Sequence, residues 1–310
     1  MKFNPRHALA AAAFVLLAAC GGGGSQVDPF EPRRLIVFGD EHSMLTADGR
    51  NYSVNGLKLQ AGQTVVDCEA NPIWVQTLAN GFGLVLAGCN TNSKVVNSLL
   101  YAQPGATVER VRAQIDQHFT GGGVNSRDLI TVFAGAHDIL ELYAQFPAQT
   151  ASQLKAQAGE RGRQLAEQAN RLARANGRVL VLTIPSIGLT PLAYIEKAAR
   201  NDTDRQELLN ELSAAFNREL RLTLINDGRL IGLVLADELA DGFVKFPSGT
   251  GLADVRQAAC AVAVPDCTVS TLVVNANAGT WMWADEIRFG PRLHAQIGTS
   301  ALTRAARNPF

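Results

Sequence analysis

Short runs that are almost wholly apolar, set between segments of helical periodicity, constrain this chain more than any other feature. Arg34–Phe38 (RLIVF), Leu129–Ala134 (LITVFA), Arg178–Ile184 (RVLVLTI) and Leu230–Leu235 (LIGLVL) are too short for buried helices and rich in β-branched residues. They read as strands buried on both faces. Between them, Thr107 to Phe119 places Val108, Val111 and Ile115 on one helical face, and a helix opens at Ala136. Ser152 to Ala175 is a long amphipathic segment closed by Asn176-Gly177, which suits a helix end. Asn71 to Asn80, Asp204 to Ile225 and Pro291 to Ala305 complete the helices. Asp48 to Gly62 reads as a small hairpin or loop, and Phe246 to Thr280 as irregular. This order predicts one three-layer α/β/α sandwich with a parallel sheet over residues 34–310, without internal repeats.

The start of the chain reads as an address. Lys2 and Arg6 precede an apolar run, Ala8 to Leu17, that is too short to span a bilayer. Leu17-Ala18-Ala19-Cys20 resembles a lipobox, which makes residues 1–19 a lipoprotein signal peptide and Cys20 the lipidated residue. The alternative is an ordinary secretory signal with a spare cysteine. Residues 20–33 then form a linker, with Gly21 to Ser25 suited to a tether. Gly21, in place of an Asp after the lipidated Cys, points to the outer membrane, with the domain in the periplasm or at the surface. The expected partner is the membrane, through the anchor at Cys20.

Of five cysteines, Cys20 leaves four, an even number that suits an oxidising compartment. Three pairings are possible, and nearest-neighbour pairing, Cys68 with Cys89 and Cys260 with Cys267, is expected over four buried thiols. No cysteine or histidine spacing suits zinc, and neither metal nor cofactor is expected. The 28 basic residues balance 28 acidic ones, and losing Lys2 and Arg6 leaves 26 basic. No basic field invites nucleic acid.

In a parallel sheet, chemistry collects at the carboxyl ends of the strands. Four motifs stand near such ends: Gly39-Asp40-Glu41-His42-Ser43, Tyr101 to Ala106 with Gly105, Gly135-Ala136-His137-Asp138, and Asp285-Glu286-Ile287-Arg288 before the last helix. In order and placement they resemble the four blocks of the GDSL/SGNH ester hydrolases. The resemblance implies a flavodoxin-like sheet, ester hydrolysis and an acyl or sugar-ester ligand. His294 falls where that family often carries a second, helix-borne His.

Only Gly105 and Asp285 match the family's catalytic positions. The nucleophilic Ser is Glu41, the oxyanion-hole Asn is His137, and the base His is Arg288. Arginine stays protonated and makes no general base. Losing triad members costs on the order of 10⁴–10⁶ in rate. A retired catalytic site is therefore expected, with Glu41 and Arg288 joined as an ion pair and Asp285 bracing the guanidinium. Three alternatives stay open. Ser43 serves as a displaced nucleophile with His42 or His137 as base. Glu41, His137 and Asp285 hold a divalent metal, which Arg288 opposes. Or Glu41 itself is a general base or carboxylate nucleophile. His118 near a helix end, Trp74, Trp281 and Trp283 are expected to be structural. Asp40 should shape the turn after the first strand. Asp237, Glu238 and Asp241 read as a solvated helix start, and Gln153 to Arg174 as a wet helix face.

Overall fold

The computed structural model of the protein describes residues 30–307. The basic start, the apolar run, Cys20 and the Gly21 to Ser25 tether lie outside the described residues. The elements in order are β1 (Arg34–Gly39), β2 (Gly56–Gln60), β3 (Gln63–Asp67), α1 (Trp74–Gly81), β4 (Ser98–Leu100), α2 (Val108–Gly121), β5 (Asp128–Phe133), α3 (Ala136–Tyr143) and α4 (Ala151–Arg174). There follow β6 (Arg178–Leu182), α5 (Pro191–Ala199), α6 (Arg205–Thr223), β7 (Ile231–Val234), α7 (Ala236–Lys245), β8 (Asp254–Ala258), β9 (Trp281–Trp283) and α8 (Pro291–Arg307).

The main sheet is parallel throughout, in the order β4-β1-β5-β6-β7. Counted among its own strands this is 2-1-3-4-5, the flavodoxin-like order, whose switch point lies between β1 and β5. The almost wholly apolar runs explain it. Leu35 to Phe38, Leu129, Ile130, Val132 and Val179 to Leu182 are all buried, so both sheet faces need cover. Helices α2, α4 and α6 cover one face, while α1, α7 and α8 cover the other. Helices α4 and α6 approach most closely at Gly162, where a methyl group would stand 2.1 Å from the Phe216 carbonyl oxygen. The result is a three-layer α/β/α sandwich.

A second, smaller cluster of Val54, Ala259, Cys267, Trp281 and Ala284 lies under the long β7–β9 connection. The Cys260–Cys267 disulfide sits in it, and Cys68–Cys89 ties the β2–β3 hairpin to the loop after α1. Both are the nearest-neighbour bonds. Among the described residues no helix is long and apolar enough to cross a membrane.

Several expectations need correction. The stretch from Phe246 to Thr280 contains β8, which pairs in parallel with β9. Asp237 is no solvated cap. It accepts from Thr183 Oγ1 at 2.6 Å and from Arg221 at 2.7 Å, tying α6 and α7 to the end of β6. His118 is structural but not a cation at a helix end. Burial lowers its pKa, and its ring nitrogens meet Tyr101 Oη and the Gly123 carbonyl. Trp74 and Trp283 are fully buried, and Trp281 nearly so.

Candidate active site

Strand β1 ends at Gly39, whose φ of +153° and the Phe133 carbonyl oxygen 2.2 Å from any added Cβ leave room only for glycine. Asp40 then caps one tight turn, Glu41–Ser43, by accepting the His42 N–H at 3.0 Å. This is the turn-shaping role expected of it. The turn aims Glu41 into the carboxyl edge of the sheet, at the switch point beside β5. Gly135, with φ +131° against the Phe216 ring, makes the same abrupt exit from β5 and delivers His137 on the first turn of α3. Gly105 comes from the turn after β4. Asp285 follows β9 and accepts the backbone N–H groups of Ile287 and Arg288 at 3.0 and 2.8 Å, folding Arg288 back toward the sheet.

These residues converge on the Glu41 carboxylate, which is fully buried. Oε2 accepts the Gly105 N–H at 2.8 Å, and Oε1 accepts Arg288 Nε at 2.7 Å. His137 Nε2 lies 3.0 Å from both oxygens. Arg288 Nη1 donates to Asp285 Oδ2 at 2.7 Å, so the guanidinium bridges two carboxylates. The contacts expected between Glu41 and Arg288, and between Arg288 and Asp285, are therefore present. Burial alone would raise the Glu41 pKa. The His137 hydrogen bond and the charges of His42, His137 and Arg288 outweigh it and hold the carboxyl well below its usual range. Burial lowers the His137 pKa, but Glu41 raises it more, and the ring is biased toward the cation. Burial likewise works against the Arg288 cation, which Asp285 and Glu41 more than restore.

Ser43 lies apart from this group. Its Oγ is fully buried and accepts Trp74 Nε1 at 3.2 Å, so it faces the core. Asp40, Glu41 and His137 bring three potential metal donors within 4.8 Å of one another. Asp285, counted with Glu41 and His137 in the sequence reading, is turned to Arg288 instead. Both Glu41 oxygens accept N–H donors, and Arg288 already supplies the positive charge a metal would bring.

Sequence reasoning missed a second buried set beneath the first. His42 Nδ1 meets Asp40 Oδ1 at 2.9 Å, and its ring lies 4.1 Å from that of Phe289. Burial lowers the His42 pKa, but Asp40 raises it further, while burial and the neighbouring His42 hold His294 well below its usual range. His42 borders a small apolar pocket with Phe133, Ile184, Pro185, Trp283 and Phe289. Nothing in the sequence pairs Asp40 with His42 and His294, because only the packing of α8 against α1 brings His294 there.

Residues 35–267 match the family model for GDSL-like lipase/acylhydrolase. The chain belongs to this family. Asp285 and Arg288 lie beyond the matched span, where geometry alone places them in the site. No curated protein matches the chain in sequence. Among solved structures, the lipase Lip_vut3 from a goat rumen metagenome is similar at TM-score 0.50 and 11% identity, covering 88% of this chain and 97% of that one. A lipolytic G-D-S-L family protein from Veillonella parvula gives TM-score 0.43 and 14% identity, with 87% and 96% covered. The acetylxylan esterase Axe2 from Geobacillus stearothermophilus gives 0.43 and 12%, with 89% and 95% covered. At such identities the likeness is one of fold.

Proposed function

We propose that this protein is an envelope lipoprotein in which the family's catalytic cleft has been retired and kept as a binding or structural feature. One observation carries the reading: the Glu41 carboxylate is ringed by the Gly105 N–H, His137 and Arg288. The Gly105 N–H and His137, at the family's two oxyanion-donor positions, both point at it, as does Arg288 at the base position. The side chain at the nucleophile position thus plays the anion that the site was built to stabilise. A carboxylate so fully engaged is a weak base and a poor nucleophile, because its lone pairs are committed and its pKa is depressed. Arg288 takes no proton. This weighs against an active esterase working through Glu41, the reading that family membership alone would favour.

The site's mouth belongs to Arg288, His137 and Asp285, each about a fifth exposed, while Glu41 is closed off. An acyl or sugar-ester group entering the cleft would meet these three. A fluorophosphonate probe tests the retired nucleophile. No label is expected on the wild type, whereas the triple variant Glu41→Ser, His137→Asn, Arg288→His, which keeps Asp285, is expected to label at position 41. Labelling of the wild type at Ser43 would overturn the reading. For the anchor, Cys20→Ser is expected to move the protein from the membrane fraction to the soluble one.

A further inference from the structure

A parallel sheet gives a molecule two ends of different chemistry. The site occupies the carboxyl end. At the other end the strands begin in one row, with Arg34 beside Asp128, Leu129 beside Arg178 and Val179 beside Ile231. Basic side chains gather around that row and serve nothing in the site. The Arg33 N–H donates to the Arg127 carbonyl at 2.9 Å, and Arg304 Nη2 reaches the Ile231 carbonyl at 3.4 Å. Arg174 ends α4 just before β6, Arg307 ends α8, and Lys94 lies in the loop leading into β4.

Arg33, Lys94, Arg127, Arg174 and Arg307 are exposed, and none of them forms an ion pair among the described residues. Arg178 is half-buried with Nη1 lacking a hydrogen-bond partner among the described residues. The acids near these cations are mostly engaged, Asp128 by Arg34, Asp227 by Arg229, Asp116 by Arg171 and Glu69, beside Lys94, by the Thr91 hydroxyl, which leaves Glu31. The whole chain balances 28 basic against 28 acidic residues, so this excess is local.

We propose that this end of the sheet is a docking face for anionic phospholipid headgroups, so that the site at the opposite end points away from the membrane. Two observations converge on that occupant. The first is charge: unpaired guanidinium forks match phosphate. The second is where the chain goes. The described residues begin at Phe30, four positions before β1 and therefore at this same end. From there Cys20 lies within about 35 Å of extended chain. The proposal rests on the lipid-anchor reading for that second observation only. An anchor at Cys20 would bring this face within reach of the bilayer, where each Lys or Arg near an anionic surface strengthens binding about fivefold.

The test uses the chain from residue 20 with Cys20→Ser. Removing residues 1–19 takes away no residue of either hydrophobic cluster. Co-sedimentation is measured with vesicles of phosphatidylcholine alone and of phosphatidylcholine and phosphatidylglycerol in equal parts. Binding is expected only to the anionic vesicles, with loss at high salt. Arg33→Glu, Arg127→Glu and Arg174→Glu together should weaken it at least about tenfold. Arg163→Glu with Arg218→Glu, on the outer flank of α4 and α6, should leave it within about twofold. Equal binding to both vesicles, no binding to either, or an equal loss in the flank variant overturns the proposal. Incorporation of labelled palmitate by the full chain in cells reads the anchor separately. Lipidation without anionic preference sinks the docking face alone, and anionic preference without lipidation sinks the anchor alone.

Discussion

At Glu41 three donors meet one carboxylate, and removing the carboxylate leaves positive charge in a mostly dry site. Breaking such a pair costs roughly 3–5 kcal/mol when the remaining charge is fully buried. Arg288 is 23% exposed and keeps Asp285, so Glu41→Ala should cost about 2–3 kcal/mol in denaturant unfolding, below the range for a fully buried charge. A loss below about 0.5 kcal/mol, the level of an ordinary surface change, would show that the convergence contributes little to the fold. The Glu41–Arg288 contact was legible through the family resemblance, which puts the two at the nucleophile and base positions that touch in that family. The Asp40–His42 pair was not. Two residues apart on a tight turn, they meet only because Gly39 forces the chain to turn at once.

Elements were legible in proportion to their burial. Strands β1, β5 and β6 announce themselves because nearly every residue in them is apolar and hidden. Strand β4 went unread. It has only Ser98–Leu100, just one of them buried, after a stretch of Asn, Ser and Lys. Helix α5 carried its signals, a Thr190 cap with Pro191 at the first position, but its short length hid the periodicity. Outside the main sheet two disulfides add to the packing. The Cys68–Cys89 bond closes a loop of 21 residues that carries α1, and replacing both cysteines with serine should cost about 3 kcal/mol in thermal or denaturant unfolding. An unchanged midpoint would mean that the hairpin packs without it.

For the whole molecule, the shifted groups fix how stability depends on pH. Glu41 titrates below its usual 4.5 in the fold, so its contribution is complete above that value and disappears as pH falls. His137 titrates above its usual 6.5, so its contribution is complete below that value and disappears as pH rises through the raised one. Asp138, pushed up by burial to about 6 from 3.8, also favours the folded state at the acid side and loses that as pH rises toward 6. Stability should therefore peak at about pH 4 to 4.5, and Asp138→Asn should remove up to about 3 kcal/mol of the decline between there and pH 6. Unfolding midpoints across that range check both. A wild-type curve still rising at pH 7 would contradict the assignment.

The central claim is that the family's catalytic oxyanion site is filled by this chain's own carboxylate and does no ester chemistry. Hydrolysis of a short-chain nitrophenyl ester by the protein from residue 20 onward, with Glu41→Ala beside it, tests that most directly. Neither protein is expected to exceed the buffer rate. Turnover in the wild type that vanishes in Glu41→Ala would contradict the account and make Glu41 a working catalyst.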